Sequence, residues 1–107
     1  MSPGHDHAAG LTGPGSVVLE LGGDTGALVL HAPAALHGCE IEISPVTNAF
    51  RRAHSLVRER RTAAGVSYAA VYPQVPAGQY TVWRGPGTPA GTVTVAGGQV
   101  ARFRWPE

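Results

Sequence analysis

The chain has 107 residues, of which 14% are charged, and a formal net charge of +1 at pH 7. This length corresponds to one domain, and a net charge so close to zero gives no general attraction to nucleic acid or to an acidic membrane surface. The single cysteine excludes an internal disulfide. The apolar runs are only a few residues long, far below the ~20 residues that cross a bilayer, so membrane insertion is not expected.

Residues 1–15, MSPGHDHAAGLTGPG, are rich in glycine, proline and small side chains and show no hydrophobic periodicity. Such a segment buries too little apolar surface to become ordered, so we predict a flexible arm over residues 1–15 and one domain over residues 16–107. The first ten residues also lack the cationic start and apolar stretch of a secretory signal, which makes the cytoplasm the expected location.

After the arm, short β-branched runs alternate with turn residues about every ten positions, a spacing typical of a β-sandwich or barrel. The alternation is clearest over Cys39–Ser44, where Cys39, Ile41 and Ile43 are predicted to face inward. The predicted strands are Ser16–Leu21, Ala27–His31, Cys39–Ser44, His54–Arg60, Val66–Tyr72, Gln79–Arg84, Thr92–Val95 and Val100–Trp105. We therefore expect an all-β protein, a single antiparallel Greek-key β-sandwich of seven or eight strands.

The stretch Tyr72–Trp83, YPQVPAGQYTVW, contains an aromatic residue, a valine, a Pro-Ala-Gly step and a second tyrosine. Its two prolines cannot donate ladder hydrogen bonds, and Gly78 allows a sharp turn. Because Tyr80 is predicted to point into the same core as Tyr72, we interpret the stretch as a packed corner between two strands.

The order aromatic-x-x-aliphatic-Pro-x-Gly-x-Tyr resembles the corner of transthyretin-like sandwich modules, including carboxypeptidase regulatory-like and collagen-adhesin B-type repeats. The matching residues are Tyr72, Val75, Pro76, Gly78 and Tyr80. The resemblance implies a seven- or eight-stranded Greek-key sandwich over about residues 15–105. Such modules serve as spacers, adhesins, carbohydrate binders and subunit interfaces, so the resemblance implies no single activity. The related 5-hydroxyisourate hydrolases end in Tyr-Arg-Gly-Ser, whereas this chain ends in FRWPE, so that activity is not expected.

No catalytic constellation is evident in the sequence. His37 and Cys39 are a potential imidazole–thiol pair, but a cysteine that faces inward acts as a small apolar residue. No Gly-x-Ser-x-Gly elbow, phosphate-binding loop or His-Glu-x-x-His motif occurs. We therefore predict that the protein is not an enzyme.

The segment GHDH at residues 4–7 is a candidate metal site. In an extended chain His5 and His7 project to the same side, roughly 6.5 Å apart. Neutral imidazoles at this spacing can share a zinc, copper or nickel ion, and His31 and His37 would add ligands if the arm folds back. The alternative is a polar tail that holds no metal, because two histidines and an aspartate fall short of a closed site.

The basic residues are concentrated at positions 51, 52, 58, 60 and 61. Arg58 and Arg60 are predicted to share one face of a strand, where they would bind a carboxylate-rich partner or phosphate groups. The alternative is a solvated face or a charged edge that discourages aggregation. Aromatic residues are not interleaved with these arginines, so nucleic-acid binding is not expected.

Trp83 is the candidate for recognition of a partner. By alternation it lies on the face opposite Tyr80 and Val82, and we expect it to lie across from Ala69 or Val71. An outward tryptophan flanked by small apolar residues is typical of a protein interface or of a platform for a sugar ring. The alternative is burial under the arm or a loop.

Three functions remain open on the sequence. The first is association with a second copy or with another protein, through Trp83, Val71, Arg58 and Arg60. The second is binding of a divalent metal ion by the histidine arm. The third is carbohydrate binding at Trp83.

Overall fold

A computed structural model describes residues 23–106 of the chain. These residues form eight strands in two four-stranded sheets. The strands are β1 Thr25–Ala32, β2 Glu40–Pro45, β3 Ala53–Leu56, β4 Arg58–Thr62, β5 Gly65–Pro76, β6 Gly78–Trp83, β7 Pro89–Val95 and β8 Val100–Arg104. One turn of 3-10 helix, Ala34–Leu36, follows β1, and no helix of residues 23–106 is long and apolar enough to span a membrane. The all-β prediction is confirmed, while the predicted arm and the strand predicted at Ser16–Leu21 lie outside the described residues.

The first sheet has the strand order β4-β5-β1-β8, and the second has the order β3-β2-β6-β7. One pair departs from the expected antiparallel arrangement, because β1 and β8 run parallel, with Ala27 opposite Val100 and His31 opposite Arg104. The strand before β8 belongs to the second sheet. The chain therefore crosses between the sheets before β8 and returns beside β1 in the same direction as β1.

The strand predicted over His54–Arg60 is two strands that belong to different sheets. Val57, which lies between β3 and β4, is fully buried. Its N–H donates to the carbonyl of Cys39 at 2.9 Å, and its carbonyl accepts from the N–H of Gly38 at 2.9 Å. The chain passes from the second sheet to the first at this valine, and alternation alone does not signal such a crossing.

The core lies between the two sheets. Leu28 and Leu30 of β1 pack in one cluster with Ile41 and Ile43 of β2 and with Val82 of β6. Successive side chains of a strand point to opposite faces, so the side chains at positions 29 and 31, which alternate with the two leucines, project outward. Strand β1 thus supplies both the interior and the outer face of the first sheet.

The predicted corner is buried as expected. Tyr72 and Tyr80 are only 4% and 7% exposed, and Val75 lies in the same cluster. The Tyr80 hydroxyl donates to the carbonyl of Pro76 at 2.5 Å. The Tyr72 hydroxyl donates to the carbonyl of Ile41, so it bridges the two sheets.

The sequence predicts that this strand ends at Tyr72, before the prolines. The structure differs, because β5 continues to Pro76. Gly26 of β1 pairs with Val75, whereas Leu28 pairs with Tyr72. Ala27 therefore faces two residues of β5, and this bulge accommodates Pro73, which has no N–H to donate.

Cys39 is exposed and does not face inward as predicted. Ile41 and Ile43 follow the predicted alternation and are buried. Strand β2 begins only at Glu40, and the N–H of Cys39 donates to the carbonyl of Leu36 in the preceding helical turn at 2.9 Å. The alternation rule does not apply to Cys39, because it precedes the strand.

Gly26 provides a test of this packing. A Cβ at Gly26 would lie 2.7 Å from Cγ1 of Val95 and 2.8 Å from the carbonyl oxygen of Gln99. We expect Gly26→Ala to lower the free energy of unfolding by about 1–3 kcal/mol, the usual cost of overpacking, as measured by urea denaturation. Gly85→Ala is the control, because no atom lies within 4 Å of the position that its added Cβ would take; an equal loss at both positions would contradict the close approach of β1 to the turn before β8.

Candidate functional site, a basic sheet face

The outer face of the first sheet brings together basic residues from three strands. Arg58 of β4 is opposite Ala69 of β5, and Ala69 is opposite His31 of β1. His31 is in turn opposite Arg104 of β8. Directly opposed residues project from the same face of a sheet, so these side chains form a row across all four strands. Arg60 and Arg102 lie two positions from this row on β4 and β8 and so project from the same face. We define the arginine face as Arg58, Arg60, His31, Arg102 and Arg104.

Between β4 and β8, the floor of the arginine face is apolar apart from His31. Val71 of β5 is opposite Val29 of β1, and both are half-buried. Ala69, in the same sheet, is buried. Neighbouring strands lie about 4.8 Å apart, so three intervals separate β4 from β8 by about 14 Å. We call this surface a trough because its arginines lie along the two outer strands, with a mainly apolar floor between them.

No carboxylate projects from the described strands on this face. The ion pairs of residues 23–106 are Arg52–Glu42, His54–Glu40 and Arg61–Glu59. Glu59 and Arg61 alternate with the arginines of β4 and so project to the other side of that strand. Within the described residues, Arg58, Arg102 and Arg104 form no ion pair, so the part of the face that these residues build carries an excess of positive charge.

His31 lies in the middle of the arginine face. Its Nε2 is 3.1 Å from Nη1 of Arg102. Burial lowers the pKa of the His31 imidazole below its ordinary value of 6.5, and the charges of Arg102 and Arg104 lower it further. A neutral imidazole accepts a hydrogen bond from a guanidinium, which a protonated imidazole cannot do. At pH 7 the positive charge of the face is therefore held by its arginines.

Arg60 lies against the floor of the trough. Its Nη2 donates to the carbonyl of Ala69 at 3.4 Å. Burial lowers the pKa of the Arg60 guanidinium, and the charge of Arg58 lowers it further. Arginine stays charged at neutral pH, so the lowered pKa reflects partial desolvation and repulsion between the two arginines.

Trp83 lies on the second sheet. In β6 it is opposite Glu42 of β2 and Pro89 of β7. The predicted neighbours, Ala69 and Val71, belong to β5 in the first sheet, so the predicted position across from them is wrong. The other three predicted interface residues share the outer face of the first sheet: Val71, Arg58 and Arg60.

The indole of Trp83 is already engaged within the chain. Its Nε1 donates to Oγ of the buried Ser44 at 2.9 Å. The guanidinium carbon of Arg52 lies 3.8 Å from the ring centroid, and the same guanidinium binds Glu42 at 2.9 Å and the carbonyl of Pro86 at 3.0 Å. One face of the ring is therefore covered and is not an open platform for a sugar.

The histidines predicted as metal ligands are separated where the structure describes them. The ring of His37 lies 5.4 Å from the ring of Tyr68, between centroids. Tyr68 projects from the side of the first sheet opposite to that of His31. Residues 23–106 contain no group of three His, Cys, Asp or Glu side chains that could hold a metal ion. Binding of zinc, copper or nickel through His5 and His7 stays a prediction, because both lie outside the described residues.

Arg102 and Arg104 are not predicted as site residues by the sequence. Their alternation with Phe103 places both on one face of the last strand. What the sequence does not show is that β8 pairs with β1, since these strands are separated by six others along the chain. Without that pairing, no signal connects these two arginines to those of β4.

Replacing Arg102 tests the electrostatics of the arginine face. We expect Arg102→Gln to raise the pKa of His31 without restoring 6.5, because burial, the larger cause, remains. Since the pKa is lowered in the folded protein, protonation favours the unfolded chain, and stability falls as the pH drops from 6.5 to the folded pKa. That fall should be smaller in the variant. NMR titration of the imidazole protons measures the pKa; no change in Arg102→Gln, or an equal change in Arg61→Gln, would contradict the arrangement.

Replacing Arg52 tests whether the Trp83 ring is held as described. Arg52→Ala removes a cation–π contact worth about 0.5–1 kcal/mol and a partly exposed ion pair worth about 0.2–1 kcal/mol. We expect the free energy of unfolding to fall by about 1 kcal/mol in urea denaturation, with a change in tryptophan emission. Arg51→Ala is the control, because Arg51 makes neither contact; equal effects of the two variants would contradict the assigned role of Arg52.

Comparisons of the chain with protein-family models, with curated proteins and with solved structures find no match. The function is therefore argued from the geometry and charge of the face itself.

Proposed function

We propose that this protein is a non-enzymatic, cytoplasmic module that binds an acidic segment of another protein on its arginine face. The observation that supports the proposal is the row of opposed residues running from Arg58 through Ala69 and His31 to Arg104. It places guanidinium groups on both sides of an apolar floor, and no carboxylate of the described strands offsets their charge on that face. Arginine binds carboxylates through paired hydrogen bonds, which suits this face to aspartate and glutamate side chains.

The charge of the face favours a different protein over a second copy of this chain. A symmetric dimer would place the same patch on both subunits, so arginines would face arginines. Opposed like charges disfavour such a pairing. A partner with complementary negative charge would associate faster with this face and bind it more tightly.

The floor favours a protein over nucleic acid. Single-stranded nucleic acid is held by aromatic side chains on which bases stack. The floor has instead Val29, Ala69 and Val71, which suit aliphatic side chains. The partner should therefore present an apolar stripe bordered by acidic residues.

The dimensions of the trough favour a helix as the bound segment. A helix with its side chains is about 10–12 Å wide, and β4 and β8 lie about 14 Å apart. A helix along the trough would place its apolar stripe over Val29 and Val71. Its acidic flanks would reach Arg58 and Arg60 on one side and Arg102 and Arg104 on the other.

We also propose that the sandwich is a transthyretin-like Greek-key module. The support for this relationship is the corner, in which Tyr72, Val75 and Tyr80 pack together and Gly78 has a φ of +153°, a conformation that favours glycine. Service as a binding surface or subunit interface agrees with the roles of such modules.

Binding of a designed peptide tests the proposed function. The probe is a helical peptide with leucine on one stripe and glutamate on both flanks, and its matched control has glutamine in place of every glutamate. We expect the acidic peptide to bind at least about tenfold more tightly than the control at low salt, and less tightly as salt rises, because exposed charges are screened. Fluorescence anisotropy of the labelled peptide measures both affinities.

Two double variants of equal net charge locate the binding surface. Arg58→Ala with Arg104→Ala removes one arginine from each side of the trough, and we expect binding to weaken by at least about tenfold. Arg51→Ala with Arg61→Ala removes the same charge elsewhere and should leave the affinity within about twofold. Equal losses in the two double variants, or equal binding of the two peptides, would refute the proposal.

A further inference from the structure

A second concave surface lies at the corner between β5 and β6. It is a groove with a volume of about 680 Å³, bounded by the end of β2, by residues 46–53 and by residues 74–80. None of the residues that define the arginine face lines it. Binding sites for small molecules usually have volumes of about 300–1,000 Å³. The groove is therefore large enough for a ligand and independent of the proposed protein interface.

The walls of the groove are mainly apolar. Ile43, Val75 and Tyr80 line it from the core side. Val46 lines its outer part and is 45% exposed, although it is a large apolar residue. Covering Val46 with an apolar ligand would remove this surface from water, which is favourable by about 25 cal/mol per Å².

Two arginines, Arg51 and Arg52, line the same groove. Burial raises the pKa of the Tyr80 hydroxyl, and the positive charge of Arg51 lowers it by a smaller amount. In residues 23–106, Arg51 forms no ion pair, whereas the neighbouring Arg52 is bound to Glu42. The groove thus combines apolar walls with a guanidinium that no described carboxylate neutralises.

Backbone hydrogen bonds fix the loop that carries Arg51. The N–H of Asn48 donates to the carbonyl of Pro45 at 2.9 Å, and the N–H of Arg51 donates to the carbonyl of Asn48 at 3.2 Å. The N–H of Val46 donates to the carbonyl of Gln79 in β6 at 3.0 Å. Because the loop is tied to β6 and closed on itself, the backbone of Arg51 is held beside the groove.

We propose that the groove binds a small organic acid, with the carboxylate at Arg51 and an apolar body against Val46, Val75 and Tyr80. The apolar walls select the body of the ligand, and the guanidinium selects its negative charge. Neutral molecules of the same shape gain only the first contribution. Binding at this groove does not depend on the arginine face.

Calorimetric titration with a matched pair of probes tests the proposal. The probes are 4-phenylbutyrate and 4-phenylbutanol, which share the same apolar body and differ in charge. We expect the acid to bind about tenfold more tightly than the alcohol. In Arg51→Ala this preference should disappear, while Arg51→Lys should keep most of it and Val46→Ser should weaken both probes.

Arg58→Ala is the control, because it removes the same charge from the arginine face and should leave both affinities unchanged. Thermal unfolding of each variant separates a lost site from a lost fold. The proposal is overturned if the two probes bind equally, if neither binds at millimolar concentration, or if Arg58→Ala and Arg51→Ala weaken the acid alike. None of these results bears on peptide binding at the arginine face, which uses different residues.

Discussion

The pairing of β1 with β5 on one side and β8 on the other is the constraint on which the rest of the structure depends. Leu28 and Leu30 of β1 fill the core, and the residues that alternate with them form the centre of the outer face. A shift of register by one residue would turn every side chain of a strand to the opposite face. It would place His31 in the apolar core and the two leucines in water, so burial of the leucines also fixes the arginine face.

The alternation of apolar and polar residues predicts most of the strands and the side chains that are buried. Ile41, Ile43, Tyr72 and Tyr80 are all in the core, as their positions in the sequence indicate. Alternation describes the two faces of one strand but not the sheet to which the strand belongs. For this reason it does not reveal the crossing at Val57, since a buried valine fits one continuous strand as well as a change of sheet.

The arginine face is predictable only in part for the same reason. Arg58, Arg60 and Val71 come from strands that are close in the sequence, and their places on one face were accessible to sequence reasoning, which predicts them as interface residues. Arg102 and Arg104 reach the same face through a parallel pairing between the first and last described strands, which no local pattern encodes. Alternation along β6 correctly predicts that Trp83 points away from Tyr80 and Val82. It does not show to which sheet β6 belongs, and for this reason the sequence wrongly places Trp83 across from Val71.

The parallel direction of β1 and β8 has a mechanical consequence. Because the two strands run side by side in the same direction, Ala27 lies at one end of their ladder and Arg104 at the other. A force that pulls these two points apart acts along the strands and loads the hydrogen bonds between them together, in shear. Antiparallel neighbours pulled from their adjacent ends would instead unzip one bond at a time, so this arrangement makes the sandwich resistant to stretching along β1.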